Sequence, residues 1–229
     1  MNSYERKYLE FFWQFAALNN INQKIRNMIN KFPEILSDGK VDERHIDFRS
    51  ALFSLDQKSI APENISTLTA IYLSTKQIDF RNKILRLLYS FDFSELKGFF
   101  ESAYKKERYL DMKIYALRGL AQFAEEKEIE KLTVKLKMTL AKREQSTPYN
   151  YQEYELLKGK NALPYLVERY RYTSLKDLLA QVNEQYERMP DAFKGHFTTN
   201  EEGEFVNLRT PGESSKMIDG FFNQQRNGG

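Results

Sequence analysis

Three tetrapeptides recur at a constant offset of 32 residues: Ile46-Asp47-Phe48-Arg49, Ile78-Asp79-Phe80-Arg81 and Leu110-Asp111-Met112-Lys113. The second and third copies continue alike, with Leu85, Arg86, Leu88 and Phe91 matched by Leu117, Arg118, Leu120 and Phe123. A period of about 20 to 50 residues marks an architecture in which one supersecondary unit is copied along the chain. Each copy predicts an amphipathic helix, because Phe80, Ile84, Leu87, Leu88 and Phe91 recur at helical spacing, and Met112, Ala116, Leu120 and Phe123 do the same. Asp47, Asp79 and Asp111 precede these stripes by one residue. A short carboxylate there accepts first-turn amide hydrogens and complements the positive end of the helix, so a capping role is expected of all three.

A second set of helices is expected between these, over residues 62–75, opened by Pro62, and 94–106, with Leu96, Phe99, Phe100 and Ala103 on one face. Helix, short turn, helix and short turn then fill each period. Such a pair cannot cover its apolar face alone, so neighbouring pairs are expected to stack, with adjacent helices antiparallel. In Asp79-Phe80-Arg81 and Asp111-Met112-Lys113 the chain resembles the HEAT repeat family, whose second helix typically opens with Asp, a hydrophobic and a basic residue. The resemblance covers about residues 41–143. It implies an all-α fold, a right-handed α-α superhelix whose second helices line a concave binding surface. At Arg81 and Lys113 it implies packing between repeats.

The flanking segments are less regular. Tyr4, Tyr8, Phe11, Phe12 and Phe15 form one stripe, broadened by Leu9 and Trp13, and predict a capping helix over 4–17, followed by a short helix over 22–31 and a turn at Asp38-Gly39. Beyond Arg143 the period is lost. Pro148 marks a loop, and helices are expected over 151–158, 164–170 and 174–188, the last with Ser174 and Asp177 in capping-box spacing. Segments 196–199 and 204–208 flank Glu202-Gly203 and predict a small β-hairpin, with a last helix over 213–225. The division expected is a repeat domain over 1–188 and an irregular extension over 189–229 packing on it.

Little in the chain points to catalysis. There is no cysteine, which removes thiolate metal sites and a cysteine nucleophile and suits a cytoplasmic setting. No apolar run is long enough to span a bilayer, and no secretory signal is evident at the N-terminus. The two histidines, His45 and His196, are far apart. His45 with Asp47 lacks metal-ligand spacing, and no nucleophile elbow accompanies His196. Gly98, Gly119 and Gly159 are isolated, so no phosphate loop is present. No cofactor, metal or small-molecule substrate is expected.

The expected partner is another protein. Arg86 and Arg118 share one repeat position opposite the buried stripe and predict a basic ladder on the concave surface, extended by Lys83, Tyr115 and Gln122. Tyr151 and Tyr154 belong to a tyrosine cluster, with Tyr149, Tyr165, Tyr170 and Tyr172, that predicts an aromatic rim. Glu125, Glu126, Glu128 and Glu130 open a helix whose later turns are basic, as the macrodipole favours, and Lys127, Lys131, Lys135 and Lys142 share a face open to an acidic partner. Small helical-repeat proteins of this kind include immunity proteins that neutralise a toxin. The alternative is a nucleic-acid enzyme resembling the HEAT-like alkylpurine DNA glycosylases. Against it stand the single Trp, at Trp13, and the near balance of 35 basic and 32 acidic residues.

Overall fold

A computed structural model describes residues 36–37, 40–41, 46–147, 149–199 and 205–227. The predicted helices over 4–17 and 22–31, the turn at Asp38-Gly39, and His45 lie outside the described residues. The side chain of Asp47 does too. The described chain is mostly helical, with two small antiparallel ladders, and none of its helices is long and apolar enough to cross a membrane. It divides into two compact units, Met1–Phe93 and Ser94–Gly229. The segment after residue 189, expected as an extension, is grouped with the second unit.

In the first unit, β1 (Leu36–Ser37) pairs with β2 (Lys40–Val41), and α1 (Ile46–Ser54), α2 (Ile65–Ser74) and α3 (Ile78–Leu88) follow. Pro62–Asn64 forms a separate 3-10 turn ahead of α2, so that helix starts later than Pro62 predicts. Its core is built from Phe48, Leu52, Leu68, Ile71, Phe80, Ile84 and Leu88, with the Phe48 and Phe80 rings edge-on at 5.3 Å. Asp79 occupies the second position of α3, inside the helix. There its Oδ1 accepts the Phe80 amide at 3.0 Å and its carboxylate pairs with Arg49 at 2.7 Å. Gln77 is the N-cap, without a side-chain cap.

The second unit opens with α4 (Leu96–Lys106) and α5 (Leu110–Leu120). The 32-residue period survives as backbone geometry. Helices start at Ile46, Ile78 and Leu110, and α3 and α5 are both 11 residues long. The residue after the preceding helix is extended in each hairpin, Thr75 at ψ 142° and Glu107 at ψ 144°. The amides of Thr75 and Glu107 close on Ile71 and Ala103 at 2.9 Å each. Connectors of three residues hold α2 against α3 and α4 against α5.

Helix α5 is covered nearly all round: every residue but Lys113 is buried. It packs against α4, α6 (Glu126–Ser146) and α7 (Tyr151–Lys158). Gly119 makes the approach to α4 possible, since a Cβ there would meet the Phe100 ring at 2.4 Å. The first amide of α5, Leu110, is reached from outside the helix by Glu153 Oε1 at 3.4 Å, so the anionic acceptor expected of Asp111 comes from α7. Asp111 is instead buried beside Arg143.

Helices α8 (Leu163–Tyr170) and α9 (Thr173–Arg188) complete the helical layer, α9 lying against α6, α7 and α8. The expected capping box at the start of α9 is absent. Tyr172 is its N-cap, Ser174 Oγ is buried without a hydrogen-bond partner, and Asp177 lies 3.8 Å from Lys137. A box does form at α10 (Pro211–Asn227), where Thr210 Oγ1 accepts the Glu213 amide at 3.3 Å and Glu213 Oε2 accepts the Thr210 amide at 2.8 Å. The predicted hairpin is present as β3 (Phe197–Thr199) against β4 (Phe205–Asn207), in register Phe197↔Asn207. Gly195, at φ 66°, takes the left-handed turn before β3, which a side chain would strain. No residue of α10 is buried; its Phe221 and Phe222 rings meet the stacked pair Tyr149–Phe193 edge-on.

Gly119→Ala is expected to destabilise the protein by about 1–3 kcal/mol in urea unfolding, through overpacking against Phe100. Gly98→Ala, in α4 with nothing within 4 Å of the added methyl, is expected to gain about 0.5–1 kcal/mol. Equal effects at the two glycines contradict the assigned packing.

Candidate functional site

The residues predicted to form a basic, aromatic groove are distributed between the two units, and most are used by the fold itself. In the first unit Lys83 and Arg86 are half-buried. Lys83 Nζ donates to the Leu55 carbonyl at 2.6 Å, and the Arg86 carbonyl accepts from Gln57 Nε2 at 2.6 Å. In the second unit Arg118 is 6% exposed. Its guanidinium lies 3.5 Å over the Tyr165 ring, and Nη1 donates to the Asn161 carbonyl at 2.8 Å. Arg118 is thus a core cation and not the rung of a surface ladder. Arg118 lies opposite the Met112 stripe on the helix, but Asn161 and Tyr165, in α8 and the turn before it, cover that side.

Tyr115 and Tyr154 are also buried, at 7% and 3% exposure, and cannot offer an aromatic rim. Gln122 is half-buried and folds back on the Gly119 carbonyl at 3.3 Å. Tyr151 is half-buried and stacks on His196 with centroids 4.1 Å apart. His196 is itself buried, its Nε2 3.0 Å from the Ala192 carbonyl, while Asp191 pairs with Lys194 at 2.9 Å. The remaining tyrosines follow the same pattern: Tyr149 stacks on Phe193 at 4.4 Å, Tyr165 underlies Arg118, and Tyr170 and Tyr172 lie 5.6 Å apart. At Arg81 the guanidinium donates to the Lys76 carbonyl, and Lys113 lies 4.8 Å over the Tyr104 ring.

The buried ionisable groups are likewise consumed internally. Glu153, 7% exposed, pairs with Arg143, which also donates to the Arg108 carbonyl. Burial lowers the Arg143 pKa and the nearby Asp111 carboxylate opposes that shift. At Lys113 burial again lowers the pKa, with Glu107 opposing and Arg143 reinforcing it. These charges form one compensated network around the start of α5. Among the described residues no group of three or more His, Cys, Asp or Glu could hold a metal ion.

One face of α6 is among the surfaces that the described residues leave outward. Ile129, Thr133, Leu136 and Leu140 form its buried stripe. Its flanks are engaged as well. The Leu132 carbonyl accepts from Tyr104 Oη at 2.8 Å, the Lys137 carbonyl accepts from Gln181 Nε2 at 3.2 Å, and Glu144 pairs with Arg188 at 2.6 Å. At about 100° per residue, Lys127, Lys131, Val134, Lys135, Met138, Ala141 and Lys142 share the remaining sector of roughly 120°. All seven are exposed, Val134 at 48% and Met138 at 59%. No acidic side chain lies within that sector, Glu128 and Glu130 being at its margins. The four lysines were legible in the sequence. Val134 and Met138 were not singled out, although two apolar residues standing off the buried stripe were the available signal.

Arg118→Ala is expected to cost about 2–4 kcal/mol of stability by chemical denaturation, since it strips a buried cation from Tyr165 and Asn161, with a smaller loss at Arg86→Ala. A neutral Arg118→Ala returns that residue to the surface. Tyr186 supplies a pH test. Burial, then its hydrogen bond to Glu155, pushes its hydroxyl up to about 12, so the folded state favours the neutral phenol. Its contribution is full below the ordinary tyrosine pKa of about 10 and is lost as pH rises through about 12. Urea midpoints measured across that window should fall less steeply in Tyr186→Phe than in the wild type; identical slopes refute the assignment. No protein-family model matches the chain, and comparison with curated proteins and with solved structures gives no match.

Proposed function

We propose that this chain is a non-enzymatic protein-binding module of the cytoplasm, built on HEAT-like helical repeats whose hairpins stack as a right-handed superhelix. Support for the repeat reading comes from the two hairpins α2–α3 and α4–α5, in which the end of the first helix, the connector, both ends of the second helix and the closing hydrogen bond recur at an offset of 32 residues. The observation that carries the binding function is the outward sector of α6, where Val134 and Met138 stay exposed among lysines while the charges buried in the second unit serve its own packing. An immunity or inhibitor role, in which this surface occludes a partner, is the narrower form of the same reading.

Affinity capture of the tagged full-length protein from its native host is expected to recover a discrete protein at defined stoichiometry, retained after nuclease treatment. Titration with fluorescent duplex DNA is expected to show no saturable binding at moderate salt, where phosphate-driven affinity falls steeply. Recovery of nucleic acid without protein, together with salt-sensitive duplex binding, contradicts the proposal.

A further inference from the structure

Resting on the protein-binding function just proposed, we infer that the outward sector of α6 docks an acidic amphipathic helix of the partner protein, with Val134, Met138 and Ala141 as the apolar seam and Lys127, Lys131, Lys135 and Lys142 as the charged border. Lys127 to Lys142 spans about 22 Å along the axis at 1.5 Å per residue, the length of a partner helix of about four turns. Lys131, Lys135 and Lys142 line one side of the seam, Lys127 lies on its midline between Val134 and Met138, and Glu130 borders the other side. A helix laid along this strip with an apolar stripe and flanking Glu or Asp would cover the seam and pair with the border, the usual geometry of helix recognition. Methionine suits such a seam, being unbranched and polarisable and able to repack against different side chains.

Charge selects among the occupants. A second copy of α6 laid antiparallel would bring lysine against lysine, and like charges juxtaposed across an interface disfavour that pairing. An anionic membrane would match the charge, but the strip lacks the Trp, Phe or Leu side chains by which interfacial helices enter the acyl boundary. Nucleic acid would leave the apolar seam facing phosphates.

The test uses the full chain and a fluorescein-labelled helical peptide of about 18 residues with a leucine stripe flanked by glutamates. A peptide of the same composition with the stripe scrambled, and vesicles of phosphatidylserine and phosphatidylcholine, serve as comparisons. Wild type is expected to bind the striped peptide by fluorescence anisotropy, and more weakly as salt rises from about 50 to about 300 mM. Lys131→Glu/Lys135→Glu and, separately, Met138→Asp are each expected to weaken binding about tenfold or more, with circular dichroism and melting unchanged because all three positions are exposed. Equal affinity of variants and wild type, equal binding of the scrambled peptide, preference for the vesicles, or no binding of the striped peptide overturns the inference. In capture from the host, a partner held equally by wild type and by the double variant removes this surface and leaves the protein-binding function standing. Absence of any captured protein with wild type removes both.

Discussion

Burial of α5 on nearly every side is the constraint on which the second unit depends. A helix of 11 residues with ten of them buried must be surrounded, and each neighbouring helix is placed by the part of α5 it covers. The Gly119 contact sets one distance, because α4 brings the Phe100 ring to where a side chain would stand. On the other sides α7 brings Glu153 to the start of α5, and Tyr165 and Asn161 receive Arg118 near its end. Removing water from Arg118, Asp111, Glu107 and Glu153 is tolerable only because each meets an opposite charge, a ring face or a backbone dipole.

The same constraint decides what remains for function. Once α4, α7 and α9 have taken up the flanks and inner face of α6, its outward sector is the strip left to solvent, and that strip is where exposed apolar side chains and like-charged lysines coincide. The buried tyrosines and the core arginine that looked like binding groups in one dimension are the material of the scaffold. The strip proposed for binding lies instead on a helix whose order of charges follows the macrodipole.

Local patterns made much of this fold legible. The helix over 151–158 matches at both ends, β3 and β4 pair within the two segments expected as a hairpin, and the helix starts at Ile46, Ile78 and Leu110 reproduce the spacing of the tetrapeptides. What escaped was non-local. Arg86 and Arg118 occupy one repeat position, yet only Arg118 is sealed, because its cover comes from Asn161 and Tyr165, 43 and more residues further on. Ser174 and Asp177 have capping-box spacing, but Asp177 faces Lys137 across a helix interface. The box that does form, Thr210 with Glu213, lies at a helix that starts at Pro211, two residues ahead of the expected start, with Pro at the first helical position. The unit boundary at Phe93/Ser94 has no composition shift or linker to announce it.

Native-state hydrogen exchange tests the central claim most directly, since protection reports how far each segment shares in the cooperative core. The account predicts that amides of α5 exchange only through global unfolding of the second unit, while those of α10, which buries no residue, exchange through local opening. Protection in α5 no greater than in α10 would contradict the arrangement from which the exposed face of α6 was deduced.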